Sequence, residues 1–401
     1  MKKKSFTLKN PASDFASLGD HCALTVQILP IRAGFVAGVG TLPVMLHDPG
    51  CWEDRNAVCL STMNRRQWLE LTGSAGLAAL LSGCASSSRP GRINPAAAER
   101  LGGEGYGIWQ GGRWISGRNP ARRLPSLSIT KSLAALAVVR AAGEGWIELD
   151  RPLIDVIPEW RSDPGKRLVT VRMLVNQTAG FSSGVAELYR GKIRDKGKVA
   201  IALPLIDPPG ERFRYGPASD EILAEVLRRY LREHGSTTEN LLREVMGRIG
   251  ISSPDWRKDL TEHYYLSTGA EFSVTDLGRL GQVAAKLANG ENTAGLRSDV
   301  FRDLASPRTA NPMVAAGIWW NRNASKAGAF SIEPERNLNA VRPPSFWQLA
   351  CLASDIDPNW LAMVGSGGKR VYVLPSRDLV IARLDRSASW NDGGFLRAIS
   401  S

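Results

Sequence analysis

Ser128 and Lys131 stand three residues apart at the start of LSITKSLAALAVVRAAGEG, a run of good helix formers that closes on Gly143 and Gly145. On a helix this spacing puts a hydroxyl and an amine one turn apart on the same face. The free N–H groups of a helix start stabilise an oxyanion forming beside Ser128 and disfavour the protonated form of Lys131. Such a pair can attack a carbonyl carbon and hold the acyl group as an ester, the chemistry of a serine hydrolase. The same spacing also describes a capping serine followed by a solvated lysine. It recurs at Ser366-Gly367-Gly368-Lys369, where a glycine turn leads into a strand and residues three apart point in different directions.

The neighbouring sequence separates the two matches. The stretch from Leu127 to Trp160 resembles the nucleophile helix and following loop of class C β-lactamases and related esterases and amide hydrolases. RMLVNQTAGF, from Arg172 to Phe181, resembles that family's loop of Leu-Leu-x-His-x-Ser-Gly type, and the likeness runs from the first hairpin to the last strand. It implies an α/β (α+β) fold of β-lactamase/transpeptidase type, with a mainly antiparallel sheet made from both chain ends, flanking helices and an all-helical subdomain. The active site is expected where the two parts meet, working without metal or cofactor.

The family's second motif, Tyr-x-Asn, aligns with PGERFRYGPASDEILAEVL and puts Tyr215 at the tyrosine position. A phenol beside a lysine ammonium ionises more easily, so Tyr215 is expected to take the serine proton and return it to the leaving group. Read without the resemblance, Tyr215 is a packing aromatic ahead of a helix. The asparagine position holds Pro217, which has neither a side-chain amide nor an N–H. The third motif, usually Lys-Thr-Gly, aligns with Met363-Val364-Gly365, so the cation that grips a substrate carboxylate is absent there, although Lys369 lies nearby. The N–H of Ser366 would join that of Ser128 in an oxyanion hole; a plain turn between strands is the other reading.

These departures favour an ester or amide hydrolase over a true β-lactamase or D,D-peptidase, with an inactive binding lipoprotein of the same fold as a further alternative. Trp319 and Trp320 could wall a substrate pocket or belong to the core. Gly180-Phe181-Ser182-Ser183-Gly184 fits the GxSxG pattern of α/β-hydrolases, but that pattern needs a strand before it. Here TVRMLVNQT reads as helix, and no histidine follows His263.

The elements that must position these residues are legible in outline. GYGIWQGGRWIS reads as a hairpin around Gly111-Gly112. SVTDLGRLGQVAAKLANG reads as a helix capped by Ser273 or Thr275 and ended by Gly290. WLAMVGSGGKRVYVLPSRDLVIARLD reads as two adjacent antiparallel strands about a Pro-Ser-Arg-Asp turn.

Upstream, MNRRQWLELTGSAGLAALLSGCASSS has paired Arg65 and Arg66, a short apolar stretch and a Leu-Ser-Gly-Cys box. The apolar part is too short for an anchor and is the layout of an export signal. Its resemblance to a twin-arginine lipoprotein signal implies that Cys84 is lipidated, which gives an exported, periplasmic protein held on the membrane. Residues 1–62 then read as an extended gene start, 63–84 as the signal, 85–100 as a tether and 101–401 as the hydrolase domain. The remaining composition is that of one globular enzyme, 43% apolar over 401 residues. Five cysteines fall in no CxxC pair, which argues against a zinc site. The net charge of +12 comes from scattered arginines without a basic run, so nucleic acid is not the expected partner. The expected partner is a small ester, amide or β-lactam, and oligomeric state leaves no mark in the sequence.

Overall fold

The computed structural model describes residues 96–97, 102–190, 192–251, 255–386 and 390–400. The upstream extension, the export signal with Cys84, and all of the tether except Ala96 and Ala97 lie outside these residues.

Gly111 and Gly112 both take positive φ, 56° and 72°, which an L side chain resists, and so fold Gly105–Gln110 (β1) back on Arg113–Arg118 (β2). Two short ribbons stand apart: Arg123–Pro125 (β3) pairs with Glu271–Ser273 (β4), and Phe330–Ser331 (β7) with Ala350–Cys351 (β8). The remaining strands are Val314–Ala315 (β5), Ile318–Trp320 (β6), Leu361–Gly365 (β9), Lys369–Leu374 (β10) and Leu379–Leu384 (β11). With the first hairpin they form one antiparallel sheet of order β2-β1-β11-β10-β9-β6-β5, so the first and last strands of the described residues meet at β1 and β11, with Trp109 opposite Val380. The final stretch makes three strands rather than two. Ser366-Gly367-Gly368 breaks its first apolar run, with Gly367 and Gly368 at φ 76° and 71°.

Alternation along the strands gives the sheet two apolar faces. Val371, Val373, Val380 and Ala382 join the larger core, beneath helices Thr130–Gly143 (α1), Pro217–Glu233 (α2), Thr238–Ile249 (α3) and Val274–Ala288 (α4). Tyr372, Leu374, Leu379 and Ile381 join a second core closed by Asp392–Ser400 (α5) through Phe395 and Leu396. Ser273 caps α4 in a capping box with Asp276, one of the two caps the sequence allows. At Gly281 a Cβ would lie 2.5 Å from Val380, so glycine lets α4 sit directly on the sheet. Between α1 and β4 the described residues add no strand to this sheet; helices and turns there make up the helical part.

Candidate active site

The turn that carries Ser128 is built under strain and tied down. Leu127 takes φ 50°, a left-handed conformation that costs a non-glycine residue about 1–3 kcal/mol. A 3-10 turn, Leu127–Ile129, then runs into α1. Ser126 donates twice to the Ala270 carbonyl, from N–H and Oγ, both at 2.8 Å, and the Ala270 N–H donates to Thr130 Oγ1 at 3.1 Å. Ser128 is nearly buried, and it shares one cavity with Lys131, Gln177, Tyr215, Trp319 and Val364. Its hydroxyl lies close enough to Tyr215 to favour the ionised phenol.

Lys131 is fixed from three directions. Its Nζ donates to the Ser267 carbonyl at 2.7 Å, pairs with Asp220 Oδ2 at 3.2 Å and lies 5.2 Å from the Tyr215 ring centroid. Burial alone would strip its charge, but Asp220 and Tyr215 more than offset that, and the ammonium is held well above the ordinary lysine range. The expectation that the helix start weakens this charge is therefore reversed, because a buried carboxylate outweighs the partial charge of a helix end. Burial lifts Asp220 from 3.8 to about 7, with Lys131 pulling the other way. The neighbouring Glu221 is also buried and raised, and accepts from both the N–H and the hydroxyl of Ser267. The carboxylates thus brace Lys131 both directly and through Ser267.

The two residues after Tyr215 carry it into the cavity. Pro217 takes the first position of α2, where its missing N–H costs nothing. The Gly216 N–H donates to Gln177 Oε1 at 3.1 Å, and a Cβ at Gly216 would stand 2.1 Å from the Ser183 carbonyl oxygen. Gly216→Ala is therefore expected to displace Tyr215 from the cavity, which a crystal structure of the variant would show, without loss of the far-UV circular dichroism of the fold. The phenol is not easier to ionise: burial raises it above the ordinary tyrosine range, and Lys131 and Ser128 draw it back only in part. At rest it is neutral.

At the third motif, Val364 faces the cavity while Met363 packs into the larger core. Gly365 lies against the serine turn, since a Cβ there would be 2.4 Å from Ser126 O. No described residue accepts from the Ser366 N–H. Lys369 does not line the cavity; its Nζ turns back to the Ser366 carbonyl at 3.0 Å. Among the described residues Lys131 is then the cation of the cavity wall, and the rest of that wall includes Val175, Val314, Gly317 and Trp319. Trp319 stands 6.2 Å from the Tyr215 ring, whereas Trp320 packs on Phe301. Ser182 of the GxSxG match follows the helix Val171–Val175 with no strand before it, and its N–H donates to Pro204 O.

Asp195, Asp259 and His263 bring ligand atoms within 4.8 Å of one another. The Asp259 carboxylate already accepts from the N–H groups of Lys196, Thr261 and His263 and from the Thr261 hydroxyl, so it braces a loop.

A family model described as Beta-lactamase matches residues 96–398. Among solved structures, the chain is similar to a protein assigned as a 6-aminohexanoate-dimer hydrolase in Bacillus anthracis, at 16% identity over 76% of this chain and 78% of that one, with a TM-score of 0.55. It is also similar to a class C beta lactamase from Rhodobacter sphaeroides, at 16% identity over 76% and 96% of the two chains, with a TM-score of 0.51. A curated relative, the Acyltransferase calJ of Penicillium decumbens, is 26% identical over 169 residues, which is 35% of this chain. The match spans 40% of that relative's length.

Proposed function

Because the chain belongs to the Beta-lactamase family, we propose that it is a serine hydrolase that cleaves a neutral ester or amide through an acyl-enzyme on Ser128. The observation that carries this reading is the convergence of Ser128, Lys131 and Tyr215 in one cavity, with Lys131 locked onto Asp220. In the reactive form Tyr215 has first released its proton to solvent, a loss that the nearby Lys131 ammonium makes less costly; Ser128 Oγ then attacks the carbonyl carbon while its proton passes to the Tyr215 phenolate. The carbonyl oxygen becomes an oxyanion held by the N–H groups of Ser128 and Ser366. Collapse breaks the bond to the leaving group, which takes its proton from Tyr215. Water then attacks the acyl-serine with Tyr215 as base, releasing the acid and restoring the hydroxyl.

Substrate preference follows from the walls. Val175, Val314, Val364 and Trp319 offer apolar surface, and the ammonium of Lys131 is already engaged by Asp220 and Ser267. A substrate carboxylate, such as a β-lactam carries, finds no free cation among the described lining residues. The protein is further proposed to be exported and anchored by a lipid on Cys84, on the strength of the signal-like segment 63–84.

The test compares p-nitrophenyl butyrate with nitrocefin on the full chain. Ester turnover with nitrocefin left intact is the expected result. Nitrocefin hydrolysis at a comparable kcat/KM would overturn the ester preference in favour of a β-lactamase, and no turnover of either would favour a binding lipoprotein.

A further inference from the structure

We propose that Arg370 is a positioning residue for the oxyanion hole, holding the Gly365–Ser366 peptide so that its N–H faces the serine turn. This rests on the hydrolase reading above and adds a residue that neither the three motifs nor the cavity wall contains.

Arg370 and Asp392 are both wholly buried, at 0% exposure. A guanidinium is costly to bury unless its donors are filled, and an apolar side chain of similar volume serves stability at least as well. Here each of the three nitrogens has an acceptor. Nε and Nη2 grip the two Asp392 oxygens at 2.7 and 2.9 Å, and Nη1 pairs with Glu335 Oε1 at 2.8 Å. Nη1 also donates to the Gly365 carbonyl at 2.9 Å and the Lys369 carbonyl at 2.8 Å, the paired residues that flank the β9–β10 turn. Glu335 closes the arrangement by accepting from the successive N–H groups of Gly367 and Gly368, both at 3.3 Å. Two adjacent left-handed glycines presenting their N–H groups to one carboxylate form a small anion nest.

The consequence lies in one peptide unit. In a trans peptide the N–H points opposite to the C=O. Arg370 draws the Gly365 carbonyl toward itself, so the Ser366 N–H is turned the other way, where Gly365 packs against the turn carrying Ser128. Without that grip, a turn with two glycines at positive φ could rotate this peptide and bring its carbonyl toward the developing oxyanion. Asp392, the first residue of α5, and Glu335 hold Arg370, so the C-terminal helix contributes indirectly to transition-state binding.

Arg370→Lys and Glu335→Gln test this on the full chain. Lysine keeps the charge but cannot fork between Asp392 and the Gly365 carbonyl. Glu335 is partly exposed, so its loss is compatible with folding. For Arg370→Lys, kcat on p-nitrophenyl butyrate is expected to fall about 100-fold with KM within 2-fold, the size of losing one oxyanion donor. Glu335→Gln is expected to fall about 10-fold, and affinity for phenylboronic acid, whose serine adduct places an oxygen in the hole, is expected to fall in step with kcat for both variants. Folded variants with wild-type kcat and boronate affinity but lower melting temperatures would overturn the proposal and make Arg370 a brace of the C-terminal helix. A crystal structure of Arg370→Lys decides the geometry apart from turnover: a Gly365–Ser366 peptide left in its wild-type orientation overturns the proposal even if the wild type is active. An inactive wild type, by contrast, removes the hydrolase reading, and the same crystal still decides whether Arg370 sets the peptide.

Discussion

Ser128→Ala is expected to abolish ester hydrolysis, lowering kcat by roughly 10⁴- to 10⁶-fold, because the acyl-enzyme has no other atom to form on. The fold is expected to survive. The Ser128 side chain fixes no backbone group, and the turn is held by Ser126 and Thr130 on the backbone of Ala270. Thermal melting within about 2 °C of wild type, with turnover at the level of the uncatalysed reaction, is the combined outcome to look for. Residual turnover within 10-fold of wild type would mean that another group performs the attack.

Asp220→Ala has the largest expected effect on stability. It leaves the Lys131 ammonium buried beside one carbonyl and a phenol, and breaking a buried pair from one side costs about 3–5 kcal/mol. In a domain of this size that corresponds to a melting temperature lowered by roughly 10 °C. Adding Lys131→Met removes the stranded charge and keeps much of the side-chain volume, so the double variant is expected to recover most of the loss while remaining inactive. A double variant no more stable than Asp220→Ala would show that the pair is not the source of the effect. The pH dependence reports an opposing contribution, the cost of burying the carboxylate itself, which outweighs the pull of Lys131 on it. Burial raises the Asp220 carboxyl from 3.8 to about 7, so the folded protein holds this proton more tightly than the unfolded chain does. Its contribution to stability is full below the unfolded value and is lost as pH rises through about 7. Asp220→Asn is expected to flatten the stability curve over that window, measured by urea unfolding.

Much of the fold is legible in the residues alone. Glycines at turn positions give away the first hairpin, the apolar continuity of α1 marks it as a core helix, and Ser273 with Asp276 announces the start of α4. The pairing of the two chain ends in one sheet comes only through family resemblance, since no local pattern says which distant strands pair. The break at Ser366-Gly367-Gly368 is visible as a glycine turn, yet the apolar runs around it read as one strand.

At the site, residue types are readable and electrostatics are not. Asp220 gives no alarm in the sequence, because an acid in the first turn of a helix is what the helix dipole favours anyway. The available signal is its position, adjacent to Glu221 on a helix otherwise burying Ile222, Leu223 and Val226. The charge state of Lys131 and the neutrality of Tyr215 depend on which groups are buried together, and no spacing rule reports that. Arg370 likewise looks like one more arginine in a basic chain; only its complete burial and its grip on the Gly365 carbonyl set it apart.

The central claim, that Ser128 is a nucleophile activated in this cavity, is tested most directly by intact-protein and peptide mass spectrometry after treatment with a fluorophosphonate. The account predicts a single phosphonyl adduct on the peptide carrying Ser128 in the wild type, none in Ser128→Ala, and slowed labelling in Tyr215→Phe. An adduct on Ser182, Ser366 or any other residue, or no adduct at all on a folded wild-type protein, would contradict it.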